Sequence, residues 1–171
     1  MKFLKILGVL CLLFLLACSV VYIMGARLPV EHAAIVAATI EAPPSQVWAL
    51  ISDTADEASW RKELKGVESA PDQNGQPCFR EVQPMMKMTL CVVKSEPQSL
   101  RVVRIADKAL PFGGTWTYSL QPTADGATQL IITEDGFVYP PVWRFVSHYV
   151  MGETGSMQMY VKDLQGAVKK P

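Results

Sequence analysis

The chain has few groups able to do chemistry: four cysteines, two histidines and some adjacent polar pairs. Cys11 and Cys18 lie in a long uncharged stretch, whereas Cys78 and Cys91 lie in the mixed, polar part of the chain. If residues 78–82 and 87–91 are strands joined by a turn at Pro84-Met85, then Cys78 falls opposite Cys91 and Phe79 opposite Leu90. Opposed residues of an antiparallel pair have Cα atoms about 4.5–5.5 Å apart, within the range a disulfide accepts. Alternation puts both cysteines on the face that carries Arg80, Lys87 and Thr89, so a surface disulfide in an oxidising compartment is expected. Two unrelated small apolar residues are the alternative. No metal site is expected, because neither histidine is near the cysteines in sequence.

Proton chemistry has thin support. His32 follows the uncharged stretch and is expected outside the core, which leaves His148 as the sole candidate general base. It sits beside an apolar helical stripe, where a lone histidine is usually solvated. Glu134 and Asp135 read as solvated rim charges. Gly113-Gly114 lacks the lysine and following helix of a phosphate loop and reads as a bend at the start of a strand. Ser147 and Ser156 have no nucleophile-elbow context. No catalytic residue, cofactor or metal ligand is therefore assigned. Lys plus Arg and Asp plus Glu number 16 each, and no basic face is visible, which argues against nucleic acid as a partner.

The elements that must position these groups begin with residues 6–26, an uncharged run that as a helix spans roughly 30 Å, the thickness of a bilayer's hydrocarbon. Lys2 and Lys5 precede it, and Arg27 follows with Glu31 close behind. The positive-inside tendency then places the N-terminus in the cytoplasm and the rest in the periplasm or its equivalent. A signal peptidase accepting Ala17 and Ser19 as small residues after a shorter apolar core, or a lipoprotein-like Leu15-Leu16-Ala17-Cys18, are rivals. Either would leave Val20-Val21-Tyr22-Ile23-Met24 as an apolar stub, so an uncleaved signal anchor is the preferred reading.

Residues 33–40 read as a first strand, followed by a helix over 45–53 with Ser45 as N-cap and a second short helix over 53–65 carrying Trp60. From Gly66 onward the pattern becomes short strands over 67–69, 78–82, 86–94, 100–106, 115–120 and 129–134, with turns at 72–75, 96–97 and 125–126. Such consecutive hairpins predict an antiparallel meander. Residues 141–169 have helical apolar spacing interrupted by Gly152 and Gly155, where a kink or break into two helices is expected.

Strand, two short helices, six strands and a long terminal helix form an α+β order, and here the chain resembles the START-like (SRPBCC) superfamily, especially its polyketide cyclase/dehydrase-like members. The resemblance covers residues 30–169 and rests on Ala42-Pro43-Pro44-Ser45-Gln46-Val47-Trp48, Pro111-Phe112-Gly113-Gly114-Thr115-Trp116 and residues 157–164. It implies a helix-grip fold, a curved antiparallel sheet around the C-terminal helix, with a deep cavity between them for lipids, sterols, polyketides or other apolar molecules. The domain plan is a tail over 1–5, the anchor over 6–26 and the ligand-binding domain over 30–171.

Strand and helix periodicities aim Trp60, Met86, Met88, Trp116, Tyr118, Phe145, Tyr149, Met157 and Tyr160 inward as cavity-lining candidates, each of which could equally be ordinary core. Met85, Met151 and Met159 join Met86, Met88 and Met157 in two methionine-rich segments that such a fold would bring together. The expected function is a membrane-anchored binding or transfer protein for a small hydrophobic ligand, such as a lipid, isoprenoid or quinone. A cyclase or dehydrase using the same cavity is the alternative, and a scaffold for an envelope complex a third.

Overall fold

The computed structural model describes residues 2–169. Its elements in chain order are α1 (Lys2–Arg27), β1 (Glu31–Ile40), α2 (Pro44–Ser52), α3 (Glu57–Trp60), β2 (Gly66–Gln73), β3 (Gln76–Val82), β4 (Lys87–Glu96), β5 (Leu100–Ile105), β6 (Phe112–Pro122), β7 (Thr128–Val138), α4 (Pro141–Phe145), a π-helical stretch (Val146–Met151) and α5 (Gly155–Ala167). One antiparallel sheet has the order β1-β7-β6-β5-β4-β3-β2. The expected meander is therefore present from β2 to β7, and β1 closes against the last strand. The helix begins at Lys2, so residues 2–5 continue it instead of forming a separate tail; Met1 and residues 170–171, assigned to the tail and the domain, lie outside the described residues.

Register decides what the sheet's concave face presents. Val103 pairs with Trp116, Trp116 with Glu134 and Glu134 with Ala34, so these four form one inward row across the strands. The next row is Arg101, Tyr118, Ile132 and Val36. α5 covers this face with Met157, Tyr160, Val161 and Leu164, a buried stripe at helical spacing. Burying such side chains contributes about 1.5–3 kcal/mol each, which seats the helix in the sheet.

Several boundaries differ from the sequence expectation for local reasons. α2 starts at Pro44 with Pro43 in the cap position and no side-chain cap, because proline is pre-set for a first helical turn; Ser45 is not the N-cap. The second helix is a single turn. Arg61 leaves it in extended conformation, and the Lys62 N–H donates to the buried Asp163 carboxylate of α5 at 2.9 Å. β1 begins two residues early, because β7 runs on to Val138 and pairs Glu31 with Phe137 and His32 with Gly136. The terminal helix breaks at Gly152, whose φ of 76° is readily available only to glycine.

Cys78 and Cys91 are opposed in register and bonded, and Phe79 faces Leu90, as the hairpin reading requires. The bridge lies on the convex face, but it is not a surface feature at both ends: Cys91 is 0% exposed. Arg104 stands opposite Cys91 in β5 and donates to Gln76 Oε1 at 2.9 Å, covering the sulfur. The bridge spans a sequence separation of 13, for which loop-closure entropy amounts to about 3 kcal/mol, less what the hairpin already orders. Reduction, or Cys78→Ser with Cys91→Ser, is expected to lower unfolding free energy by about 2 kcal/mol in denaturant titration; coincident oxidised and reduced curves would show that the bridge adds nothing.

Candidate functional site

The interior between α5 and the sheet is organised around Tyr160. Its ring centroid lies 5.2 Å from Trp60, 5.3 Å from Tyr118 and 6.0 Å from Trp116, edge-on to both tryptophans and tilted against Tyr118. Such pairs contribute roughly 0.5–1.5 kcal/mol beyond their buried area. The Arg61 guanidinium carbon lies 5.2 Å from the Tyr160 centroid, in cation–π contact. Burial lifts both phenols well above their usual titration range, so Tyr118 and Tyr160 stay neutral.

Arg61 brings charge into this apolar space and is matched by carboxylates. Its Nη1 donates to Glu57 Oε2 at 2.6 Å and to Glu81 Oε1 at 2.5 Å, and Glu63 completes the pairing from the rim at 2.8 Å. Burial opposes the charge on Arg61, but Glu81 and Glu57 more than offset it and hold the guanidinium protonated. Burial pushes the Glu57 carboxyl up to about 7, with Glu81 nearby adding to the rise and Arg61 resisting it. Arg101 is buried next to this group. Its Nη1 reaches the Ser52 carbonyl at 3.5 Å and its Nη2 has no partner.

Toward the open end of the sheet the chemistry changes. His32 Nε2 lies 3.6 Å from Glu134 Oε1, and the Trp116 indole N–H is directed at the same carboxylate. Burial raises the Glu134 carboxyl, while His32 and Trp116 pull it back. Room for the imidazole comes from Gly136, where a Cβ would stand 2.7 Å from the His32 ring. Gly113 and Gly114 lie inside β6 and do not form a separate bend before it: Gly113 clears the Phe137 ring, and Gly114, at a φ of 150°, lets the Asp135–Gly136 backbone of β7 approach closely. Beside this group lies a small pocket of about 110 Å³, walled by Leu28, Pro29 and Val30, by His32 and Val138, and by Arg144, Ser147, His148 and Glu153. A larger, open hollow of about 440 Å³ lies over the same end of the β1–β7 pair, lined by His32 and Gly136 together with Glu31, Ala33, Asp135 and Phe137, which alternate away from the concave row.

Of the residues expected to line a cavity, the structure brings Trp60, Trp116, Tyr118, Met157 and Tyr160 into one interior cluster, with Met88 half-buried against it. Trp116 is only half-buried, and its cross-strand partner Glu134 faces His32 in the mouth wall. The others lie elsewhere. Met86 is half-buried at the β3–β4 turn, where its carbonyl accepts from the Gln83 N–H. Phe145 packs on Tyr149 at 5.0 Å, and Tyr149 is 52% exposed. The break at Gly152 explains both, because it lets α4 pack on α1, with the π stretch beside α4 and not along the sheet. Met85, Met151 and Met159 are exposed, so the two methionine-rich segments do not form one lining. The interior expected to be a deep cavity holds the aromatic cluster, and the open volumes described are the mouth pocket and the hollow on the β1–β7 pair.

Two sequence readings reverse here. His148 pairs with Glu153 at 2.7 Å in an exposed position, whereas His32, expected outside the core, is the enclosed imidazole. Glu134 is not a rim charge but part of the inward row. Sequence reading also missed Glu57, Arg61, Glu81 and Arg101. The signal existed for Glu81 and Arg101, which alternate in phase with the inward Phe79 and Val103.

A sheet gripping a terminal helix, with an aromatic interior and a mouth at one end, is the helix-grip architecture. The residues 32–165 match the model of the polyketide cyclase / dehydrase and lipid transport family, and the chain belongs to that family. Among curated proteins, none matches the sequence. Solved structures with the same fold include the Zhui aromatase/cyclase of a Streptomyces species, at 15% identity and a TM-score of 0.68 over 81% of this chain and 94% of that one. A START superfamily protein from Mycobacterium smegmatis aligns at 18% identity and 0.67, over 81% of this chain and 97% of that one. Truncated norcoclaurine synthase from Thalictrum flavum aligns at 12% and 0.63, over 83% and 96%. At these identities the likeness establishes the fold.

The interior carboxylate yields a stability prediction. Glu57 has a folded value near 7 against an ordinary 4.5, so the folded state holds a proton that the unfolded chain has released between those values. Its contribution is complete below about pH 4.5 and is lost as pH rises toward 7, by roughly 3 kcal/mol. Unfolding free energies measured from pH 5 to 8 should fall along that slope, and Glu57→Gln should flatten it; an unchanged slope in the variant would refute the assignment.

Proposed function

We propose that this protein is a membrane-tethered binding or transfer module for a small apolar molecule, held with its polar end at His32 and Glu134 and its apolar body against Trp116. The observation that carries the reading is the position of the mouth pocket. Its walls run from the chain just after α1 to His32, whose imidazole faces Glu134, the cross-strand partner of Trp116. α1 is long and apolar enough to cross a bilayer over Lys5–Arg27 and is exposed over most of that length. A molecule dissolved in the same bilayer would meet the mouth without crossing water. At about 110 Å³ the pocket is smaller than the few hundred Å³ of a typical ligand site, so entry requires α4 and the π stretch to move about Gly152.

In this reading residues 1–5 and the anchor over 6–26 precede a ligand-binding domain over 30–171. Lys2 and Lys5 before the span and the Cys78–Cys91 bridge beyond it support a domain on the oxidising, extracytoplasmic side. Extraction of protein purified from its own membranes, followed by mass spectrometry, should release a stoichiometric apolar passenger. Glu134→Gln, which keeps the shape and removes the charge, should lower retention roughly tenfold by weakening a charge-assisted hydrogen bond. Preparations that are consistently empty, with no passenger recovered by adding membrane lipid extract, would remove the carrier reading.

One observation favours a second reading, a cyclase or dehydrase: the raised Glu134 carboxyl stands beside an imidazole in a partly closed site, an arrangement able to move a proton. An enzyme of that type should lose turnover in both His32→Ala and Glu134→Gln while still retaining ligand. A rate that is equal in both variants and the native protein would exclude it.

A further inference from the structure

We propose that residues 139–151 form a membrane-surface element, whose apolar face lies in the headgroup and upper acyl layer of the bilayer that α1 crosses. The inference rests on the anchoring reading above and goes beyond it, because it orients the domain on the membrane and puts the mouth against lipid.

The first support is the junction with α1. Gly25 is buried, and a Cβ there would overlap the Pro141 carbonyl and stand 3.3 Å from the Phe145 Cβ. Val21 and Leu28, on the same side of the helix, are half-buried. Arg144 ties the joint: its Nε donates to the Gly25 carbonyl at 2.9 Å, and its Nη1 to the Tyr139 and Val138 carbonyls at 2.6 and 3.2 Å. One guanidinium thus caps the last turn of α1 and the end of β7 together. Gly25 lies two residues before Arg27, the first charge after the span, so α4 is seated about 3 Å inside the level at which the apolar run ends.

The second support is how the segment divides its side chains. Arg144, Ser147 and His148 line the mouth pocket, where Arg144 donates to backbone carbonyls and His148 pairs with Glu153. The opposite surface exposes Val142, Trp143, Tyr149, Val150 and Met151, with Trp143 at 59% and Val150 at 69%. Tyr22, Ile23 and Met24 in the last turns of α1, the helix on which α4 packs, are exposed as well. Exposed apolar side chains beside a helix long and apolar enough to span a bilayer, a tryptophan and a tyrosine among them, have the composition of an interfacial element. Lipid is the occupant because α4 is seated on the end of that helix, and the polar residues of the segment line the mouth.

Trp143 provides the test, since Trp48, Trp60 and Trp116 are half-buried or buried within the domain and α1 contains no tryptophan. The full chain is reconstituted into phosphatidylcholine vesicles with or without bromine near the top of the acyl chains, and native protein is compared with Trp143→Phe. The native protein should show strong bromolipid quenching, and the variant should lose roughly half or more of it. Protein that floats with the vesicles but is quenched equally in both forms would overturn the inference and leave the anchor standing. Protein that does not float would overturn both. Trp143 shielded from bromolipid and from aqueous iodide, with crosslinked dimers, would overturn it in favour of a contact between copies. Val150→Asp with Met151→Asp should reduce quenching while near-ultraviolet dichroism shows the fold intact; undiminished quenching in that variant would count against the proposed face.

Discussion

Docking of α5 into the concave sheet puts one phenol ring, Tyr160, against Trp60, Trp116 and Tyr118 and under a buried guanidinium at once. Sheet curvature, the short α3 turn and the α5 stripe all converge on this contact. The Lys62 N–H bond to Asp163 then ties the loop after α3 to the helix that carries Tyr160. The interior is therefore defined by aromatic packing with a cation at its edge, and it leaves the sheet open only where Trp116 is half-buried.

Placing Arg61 among these rings has an electrostatic cost that two carboxylates meet unequally. Each buried charge loses several kcal/mol of hydration, and partners restore it only with good geometry. Two acids share one Nη1, so their mutual repulsion and burial leave Glu57 close to the neutral form. Removal of any member strands the others, and such a network discriminates among packings of the core more than it stabilises one. The unpartnered Nη2 of Arg101 lies next to this group, a buried donor with capacity left for water or a ligand oxygen.

At the other end, glycines and a broken helix create what the core does not. Gly136 clears space for His32 beside Glu134, and the positive φ of Gly152 redirects the chain so that α4 meets α1. The mouth is thereby walled by the turn after α1, the ends of β1 and β7, Arg144 of α4 and the π stretch. A π-helical stretch has poorer backbone packing than an α-helix and is often found at functional sites. Its position here makes it the part of the wall most able to open.

The linear chain already determined what depends on local pattern. Period-two alternation located the hairpin, the opposition of Cys78 to Cys91 and the inward Trp116 and Tyr118; helical spacing located Met157 and Tyr160; a long uncharged run located α1. Tertiary structure alone decided the rest, because it turns on which surfaces meet. Whether His32 or His148 is enclosed depended on how far β7 extends opposite β1, and whether Phe145 and Tyr149 face the sheet depended on the turn at Gly152. Glu57 and Arg61 look like a solvent-exposed helical pair until Glu81 arrives from β3 and α5 closes over them. Periodicity reports which face a residue shares, but only the assembled fold supplies what covers that face, and with it the burial that makes an ordinary carboxylate or imidazole unusual.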